Sequence, residues 1–299
     1  MRGQNARFGH VLTAMVTPFD AANQVDLDRA GELARWLLEN GSDGIVLNGT
    51  TGESPTTTLA EKAELIRAVR AAVGPNAILM AGAGGNATAE VVELAKHSHH
   101  AGASAILSVA PYYNKPSQEG LYRHFRAVAE ATPLPLVLYN VPGRTITNIE
   151  ASTTARLAKD APAIVGTKEA SANMAQVGEI VRTTPDDFDV YSGDDGTILP
   201  TLALGGAGVI SVISHVVGPD IAAVHAAWFA GDVAGAARRF LPLLPVTRAL
   251  FSAPSPAPVK YALSLVGQHA GGVRLPLVDL SEDEKTVVAQ ALRAHGLNV

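Results

Sequence analysis

The sequence predicts an α/β protein, a (β/α)8 TIM barrel followed by a C-terminal helical domain. Short apolar runs alternate with longer amphipathic segments, and eight such runs precede a final stretch that contains helical patterns only. The runs begin about 20 to 33 residues apart, the length of one βα unit. Eight βα units close into a barrel of about 250 residues or fewer. A doubly wound open sheet is the alternative, but the first strand lacks the G-x-G-x-x-G turn that is typical of such sheets.

The eight predicted strands are rich in Val, Ile and Leu. Their apolar character is continuous, which predicts strands covered on both faces, as in a parallel sheet. The runs lie at residues 12–19, 44–52, 77–84, 105–111, 134–143, 163–170, 188–195 and 208–214.

The segments between the strands have helical spacing of apolar residues, and glycines such as Gly41 and Gly74 mark helix ends. These predicted helices lie at 26–40, 58–73, 88–100, 119–131, 149–159 and 172–183. Four more are expected at 219–230, 232–251, 256–267 and 282–295. We therefore expect a catalytic barrel over residues 1–218 and a helical domain over residues 219–299.

Composition excludes several classes of function. The 299 residues include no cysteine, so disulfides, thiolate nucleophiles and cysteine-ligated metals are excluded. The net charge is −5 and no basic cluster stands out, which argues against a nucleic-acid partner. No apolar stretch is long enough for a membrane helix, and the N-terminus does not resemble a secretory signal. We expect a cytoplasmic protein.

Reacting groups of such barrels lie at the carboxyl ends of the strands, and this position singles out Lys168. Of the seven lysines, it alone ends a strongly apolar strand. Four others fall in predicted helices, where a surface position is expected: Lys62, Lys96, Lys159 and Lys285. Lys115 lies in a predicted loop and Lys260 in the C-terminal helical region. Burial favours an uncharged amine, which can attack a ketone to form a Schiff base. The alternative is a buried ion pair with Glu53 or Glu169.

Other strand ends carry groups that suit carbonyl chemistry. Tyr139 ends the preceding strand and could transfer protons, although a tyrosine that caps the barrel core is the more common arrangement. Thr50 and Thr51 could bind a small carboxylate, or form a plain turn. Arg144 could bind a substrate carboxylate, or simply be exposed.

The sequence shows no convincing metal, nucleotide or flavin site. Three histidines cluster in HSHH near a helix end, where a solvated helix terminus explains them better than metal binding: His97, His99 and His100. Asp194 and Asp195 could bind a metal, or cap the next helix. The absence of a ligand cluster disfavours a metal-dependent aldolase.

Five strand-end motifs resemble the dihydrodipicolinate synthase family, which belongs with N-acetylneuraminate lyase to the pyruvate-dependent class I aldolases. They are GTTGES at 49–54, PYYNKPSQEGLYRHF at 111–125, YNVPGRT at 139–145, KEAS at 168–171 and SGDD at 192–195. Together with VTPF, GVISV and PVKYAL they cover nearly the whole chain. The resemblance implies a barrel with a helical C-terminal domain, a homotetramer made of two tight dimers, and no cofactor beyond the covalent lysine.

The resemblance also implies a role for each matching residue. Lys168 would form the Schiff base with pyruvate, and Tyr139 would transfer protons. Thr51 would link Tyr139 to Tyr113 of a neighbouring subunit. Thr50 and Thr51 together would bind the pyruvate carboxylate. The second substrate, L-aspartate 4-semialdehyde, would bind through Arg144, while the backbone of two further residues would line the pyruvate pocket: Gly193 and Ile210.

Two local features favour the diaminopimelate and lysine branch over the sialic acid lyase. These are the second threonine of Thr50-Thr51 and the arginine of VPGRT. The alternatives are a related aldolase that cleaves sugar acids, and a catalytically silent barrel that binds a keto acid. The silent barrel is disfavoured because all five matching catalytic and substrate groups are present.

A regulatory site for lysine is implied by four matching residues, Ser54, Asn86, Glu90 and Tyr112. Two family positions that often carry histidine are Leu59 and Lys62 here. Because Lys62 would place a positive charge near the cationic effector, we expect weak or absent inhibition by lysine.

Overall fold

Eight parallel strands form a closed barrel in chain order, which confirms the predicted TIM barrel. The computed structural model describes residues 2–299. The strands are β1 (Val11–Ala14), β2 (Gly44–Leu47), β3 (Ile78–Gly82), β4 (Ala105–Val109), β5 (Leu136–Asn140), β6 (Ile164–Glu169), β7 (Asp189–Ser192) and β8 (Gly208–Ser211). Seven of the strands lie inside their predicted runs, and β1 begins one residue before the run predicted at 12–19.

The strands are buried on both sides, as their continuous apolar character predicts. Every residue of β1, β2, β5, β7 and β8 is buried. Polar residues are confined mainly to the carboxyl ends, where β5 ends in Tyr139-Asn140 and β6 in Lys168-Glu169. The fold therefore presents titratable groups at the end where barrel enzymes carry their chemistry.

Eight α-helices lie between the strands within the described residues, and the six that were predicted begin and end within about two residues of the predicted bounds. The eight are α1 (Leu27–Glu39), α2 (Leu59–Val73), α3 (Thr88–His100), α4 (Gln118–Glu130), α5 (Pro142–Thr145), α6 (Ala151–Asp160), α7 (Met174–Thr183) and α8 (Ile198–Ala203). The short helices α5 and α8 were not predicted. Capping fixes several of the starts: Thr58 forms a capping box with Glu61 at α2, and Asp26 caps α1.

The C-terminal region is helical, as predicted, but two of its helices differ from the predicted bounds. The first begins at Ser214 rather than at 219, and its backbone is kinked at Val217. Its helices are α9 (Ser214–Phe229), α10 (Val233–Phe240), α11 (Leu243–Leu250), α12 (Ala257–Leu265) and α13 (Glu282–His295). The single helix expected over 232–251 is two helices, α10 and α11. They separate at Leu241-Pro242, because proline cannot donate the backbone hydrogen bond that a continuous helix requires.

The chain divides into two compact units that interleave along the sequence. One comprises the N-terminal residues through His10 together with Ile78–Ile210, and the other comprises Val11–Ala77 and Ser211–Val299. The functional division expected at residue 218 stays a prediction. No helix within residues 2–299 is long and apolar enough to cross a membrane.

Candidate active site

Lys168 and Tyr139 lie side by side at the carboxyl ends of β6 and β5. The strand register pairs Tyr139 with Lys168 and Asn140 with Glu169. The Lys168 Nζ atom lies 4.5 Å from the centroid of the Tyr139 ring, and both side chains are buried. The parallel register thus brings an amine and a phenol together, the pair that Schiff-base chemistry requires.

The Lys168 amine has no hydrogen-bond or ion-pair partner among residues 2–299. The two carboxylates considered as partners from the sequence are engaged elsewhere. Glu53 pairs with Lys260, and Glu169 accepts hydrogen bonds from the Asn140 side chain. A lysine that is only 5% exposed and whose amine has no protein partner is unusual, because the polar groups of buried side chains are normally hydrogen-bonded to the protein. The surroundings of Lys168 therefore suit a nucleophile rather than a structural ion pair.

Gly193, at the end of β7, gives the Lys168 side chain its space. A Cβ atom at this position would lie 3.0 Å from Lys168 Cγ, 3.1 Å from Lys168 Cε and 2.6 Å from the Cβ of Ala170. The residue was predicted from the resemblance to line the substrate pocket with its backbone. The structure adds a steric reason for glycine, because any larger side chain would displace the lysine.

The remaining predicted residues of this compact unit differ in exposure. Ile210 is buried on β8, whereas Arg144 is exposed on α5 and has no acidic partner within the described chain. Tyr112 is 39% exposed and Tyr113 is 88% exposed. Tyr113 adopts a left-handed backbone conformation with a φ of 70°, which costs a non-glycine residue free energy.

The residues predicted for the regulatory site are also largely accessible. In this unit Asn86 and Glu90 are exposed, and Asn114 Nδ2 donates a hydrogen bond to the Asn86 carbonyl at 2.8 Å. In the other unit Ser54 is half-buried and Leu59 is exposed.

In the other compact unit, Thr50 and Thr51 lie in the turn after β2, and Thr51 is buried. Hydrogen bonds from Glu53 N to the Thr50 carbonyl and from Thr17 Oγ1 to the Gly52 carbonyl hold this turn. The turn therefore has a fixed backbone that leaves threonine hydroxyls for binding.

A buried ion pair, which the sequence did not reveal, stabilises the end of this turn. Glu53 has a left-handed backbone with a φ of 53°, and its carboxylate lies 2.8 Å from Lys260 Nζ. Arg274 donates its backbone N–H to the same carboxylate, and the ring of Phe19 lies about equally close to both cations, 4.2 Å from Lys260 Nζ and 4.3 Å from Arg274 Cζ. Burial lowers the pKa of Lys260, and Glu53 opposes that shift.

Lys62 is buried, so the surface position expected for it from the helical pattern is wrong. Its ammonium donates hydrogen bonds to the carbonyls of Ser54 and Thr57, which lie at the first residue and at the C-cap of the short 3-10 helix before α2. The Ser54 carbonyl also accepts the backbone N–H of Thr57, so the ammonium adds a second donor to it. Burial lowers the pKa of Lys62.

The three clustered histidines lie at a helix terminus, and Asp194 caps a helix, as the structural alternatives from the sequence had it. His97, His99 and His100 lie in the last turn of α3, where cations are favoured. The Asp194 side chain accepts a hydrogen bond from Gly196 N and caps a short 3-10 helix. No group of three or more potential metal ligands occurs in the part of the chain that the structure describes.

Comparison with known proteins agrees with this geometry. The profile of the "Dihydrodipicolinate synthetase family" matches residues 7–295. A 4-hydroxy-tetrahydrodipicolinate synthase of Moorella thermoacetica is 50% identical over 291 residues, 97% of this chain and 99% of the relative. The dihydrodipicolinate synthase of Cyanidioschyzon merolae, solved with lysine bound, has a TM-score of 0.96 and 46% identity over 98% of this chain and all of that one.

A third similar structure comes from a monomeric dihydrodipicolinate synthase variant. It has a TM-score of 0.94 and 40% identity, covering 97% of each chain. The matches span nearly the full length of both partners, so they concern the entire barrel and the C-terminal helices rather than a shared fragment. The chain belongs to the dihydrodipicolinate synthetase family.

Proposed function

We propose that this chain is a lyase that condenses pyruvate with L-aspartate 4-semialdehyde, the 4-hydroxy-tetrahydrodipicolinate synthase reaction of diaminopimelate and lysine biosynthesis. The observation that carries the proposal is the buried Lys168 amine, unpaired and 4.5 Å from the Tyr139 ring. Relatives at about 50% identity are named 4-hydroxy-tetrahydrodipicolinate synthase, and the family resemblance of the strand-end motifs implies the two substrates. Such biosynthesis is expected in the cytoplasm.

The chemistry begins at the Lys168 amine. Nζ attacks the ketone carbon of pyruvate, water leaves, and a protonated iminium forms. Loss of a methyl proton gives the enamine, whose carbon attacks the aldehyde of the second substrate and forms the new C–C bond. The amino group of that substrate then attacks the iminium carbon, closes the ring and releases Lys168. The iminium accepts the electrons of the broken C–H bond, so the reaction needs no external cofactor.

The other roles follow the resemblance and stay predictions. The Tyr139 hydroxyl transfers protons to and from the reacting oxygens. Thr50 and Thr51 bind the pyruvate carboxylate, and the backbones of Gly193 and Ile210 line the pyruvate pocket. The exposed guanidinium of Arg144 binds the carboxylate of the aldehyde substrate through paired hydrogen bonds. Residues 1–218 would form the catalytic domain and residues 219–299 the helical domain.

The substrate assignment has a direct test. Pyruvate is added, the adduct is reduced with borohydride, and the mass of the intact protein is measured. The proposal predicts one pyruvate adduct per chain and turnover with aspartate semialdehyde. An adduct with turnover only on sugar acids would indicate a retro-aldolase, and an adduct without turnover would indicate a silent keto-acid binder.

We also propose a homotetramer built from two tight dimers, with Tyr113 entering the neighbouring subunit and completing its proton relay. The exposed, strained Tyr113 supports this, since an aromatic side chain held away from its own barrel suits insertion into a partner. Sedimentation velocity is expected to give a tetramer. A monomer with full activity would contradict the role of Tyr113.

For regulation we propose weak or absent inhibition by lysine at the site implied for Ser54, Asn86, Glu90 and Tyr112. The ammonium of Lys62 supports this proposal, because it already binds the carbonyls of Ser54 and Thr57 and so adds positive charge at Ser54, a residue of the implied site. Assays with lysine at millimolar concentration are expected to show little change in rate. Strong inhibition below a millimolar would overturn the proposal.

A further inference from the structure

Glu169, which follows Lys168 on β6, is a buried carboxylate without a cationic partner within residues 2–299. Successive strand residues point to opposite faces, so Glu169 points away from the lysine amine. The Glu169 carboxylate is 3% exposed and accepts hydrogen bonds from Asn140 Nδ2 at 3.0 and 3.1 Å, Gln176 Nε2 at 3.1 Å and Ser171 N at 2.9 Å. Two side-chain amides and one backbone N–H therefore satisfy the oxygens of this buried group.

The same amides bind both ends of the loop that connects β5 to α6. Asn140, at the start of the loop, donates to Asn148 Oδ1 at 2.8 Å and accepts from Ile149 N at 2.9 Å. Gln176, on α7, donates to Asn148 Oδ1 at 3.1 Å and accepts from Asn148 Nδ2 at 2.8 Å. A single carboxylate thus organises the amides that close the loop.

The loop between these anchors is strained. Ile146 has a φ of 55°, in the left-handed region that β-branched residues rarely adopt, although its side chain is 71% exposed and gains little from burial. On either side, the buried hydroxyls of Thr145 and Thr147 bond to carbonyls inside the loop. Such a conformation persists only when the surrounding structure enforces it. The exposed Arg144 lies on this loop.

We infer that Glu169 is a positioning residue, which through Asn140, Asn148 and Gln176 fixes the strained loop and aims Arg144 at the carboxylate of the second substrate. The inference rests on the proposed function. Weakening the anchors allows the loop to relax, and Arg144 then spends less time in the binding geometry. Binding of the aldehyde substrate weakens, while pyruvate and its adduct are unaffected, since Lys168 and Tyr139 keep their strand positions.

The test uses Gln176→Met, because Glu169→Gln alters the residue next to the nucleophile and could fail to fold. Gln176 is half-buried, and methionine keeps its length while removing its four side-chain hydrogen bonds. KM for aspartate semialdehyde is expected to rise about tenfold, because a loosened loop holds Arg144 in the binding geometry for a smaller fraction of the time. KM for pyruvate and the yield of borohydride-trapped adduct should change less than about twofold. Thermal unfolding checks that the variant is folded.

A double-mutant cycle with Arg144→Ala distinguishes positioning from general loosening. If Gln176 acts through Arg144, Gln176→Met should have almost no further effect on KM for the aldehyde once Arg144 is absent. A full tenfold effect in that background overturns the inference, as does an unchanged KM in the single variant. Where Glu169→Gln folds, it should reproduce the selective rise in KM. Glu179→Gln, which removes an exposed carboxylate from the same helix, is the control and should have no effect.

The proposed function can fail separately. Wild-type protein that forms no pyruvate adduct overturns the function and this inference together. Wild-type protein that forms the adduct and condenses it with aspartate semialdehyde, in combination with an inert Gln176→Met, overturns the inference alone.

Discussion

Lys168 and Lys260 are both almost completely buried, yet their surroundings are chemically opposite. Lys260 Nζ lies 2.8 Å from the Glu53 carboxylate and donates to the Gly272 carbonyl at 2.6 Å. Lys168 Nζ has the Tyr139 ring at 4.5 Å and no hydrogen-bond partner within residues 2–299. Burial alone therefore does not identify a functional lysine. What distinguishes Lys168 is that no protein group within residues 2–299 binds its amine, so the amine is available to a substrate.

Removing the amine of Lys168 gives the largest effect on activity. Lys168→Ala is expected to lower turnover at least about a thousandfold, because no other buried lysine is unpaired and correctly placed. Steady-state assays measure the loss, and circular dichroism checks the fold. The matched control is Lys159→Ala, an exposed lysine on α6 that should change nothing. Near wild-type turnover in Lys168→Ala would mean that the nucleophile is another group.

Removing the amine of Lys260 affects stability instead. Lys260→Met leaves the Glu53 carboxylate buried without its cation, which costs about 3–5 kcal/mol of unfolding free energy. Adding Glu53→Gln is expected to recover much of that loss, since the unpaired charge is then gone. Urea denaturation measures both. Lys285→Met, which breaks an exposed pair with Glu282, is the control and should cost far less, because solvent screens that pair. Equal losses of unfolding free energy in Lys260→Met and Lys285→Met would show that the buried pair of Lys260 has no special structural role.

Lowering the pH tests whether the stability of the fold also depends on the charge state of buried histidines. Burial lowers the pKa of His215 to about 4, and its neutral Nε2 accepts a hydrogen bond from Val16 N at 3.1 Å. The unfolded chain takes up that proton near pH 6.5, so this stabilisation is complete above pH 6.5 and is lost as the pH falls towards 4. Between pH 7 and 5 the loss is about 2 kcal/mol.

Urea denaturation at pH 7 and pH 5 measures this loss. His215→Gln is expected to show a smaller decrease than wild type. His124, whose pKa burial also lowers to about 4, remains in the variant and retains its own contribution. An identical decrease in wild type and His215→Gln would show that His215 does not titrate on unfolding.

The smallest effect concerns the space around Lys168. Gly193→Ala would place a Cβ 3.0 Å from Lys168 Cγ and 2.6 Å from the Cβ of Ala170, so the amine must shift by a few tenths of an ångström. We expect kcat to fall about tenfold, because small displacements of reacting groups are costly. In the control, Gly178→Ala on α7, the new Cβ meets only Leu204 Cδ2 at 3.8 Å. Equal rates in the two variants would show that the position of Lys168 tolerates crowding.

The sequence predicts what depends on local periodicity. Eight apolar runs at a βα spacing are sufficient for the barrel, and the strand-end rule identifies Lys168 and Tyr139 without any knowledge of contacts. The helix α8 escapes this approach because its six residues are too few for a helical period and include Pro200. The break between α10 and α11 has a local cause in the sequence, Pro242, which the predicted helix over 232–251 did not take into account.

Long-range partners cannot be predicted in this way. The sequence left Glu53 and Glu169 as possible partners of Lys168, because nothing local shows that Lys260 on α12 reaches Glu53 or that Gln176 on α7 reaches Glu169. Lys62 was expected at the surface for the same reason, since its carbonyl partners belong to the preceding turn. Identifying the unpaired amine therefore required the structure, although finding the candidate lysine did not.

The most direct test of the account locates the pyruvate adduct along the chain. The protein is incubated with pyruvate, reduced with borohydride, digested and analysed by mass spectrometry of the peptides. We predict that the modified residue is Lys168. The similarly buried Lys62 and Lys260 are expected to stay unmodified, because backbone carbonyls already bind Lys62 and the Glu53 carboxylate already binds Lys260. Modification of Lys260 or Lys62 in place of Lys168, or no modification of any lysine, would contradict this prediction.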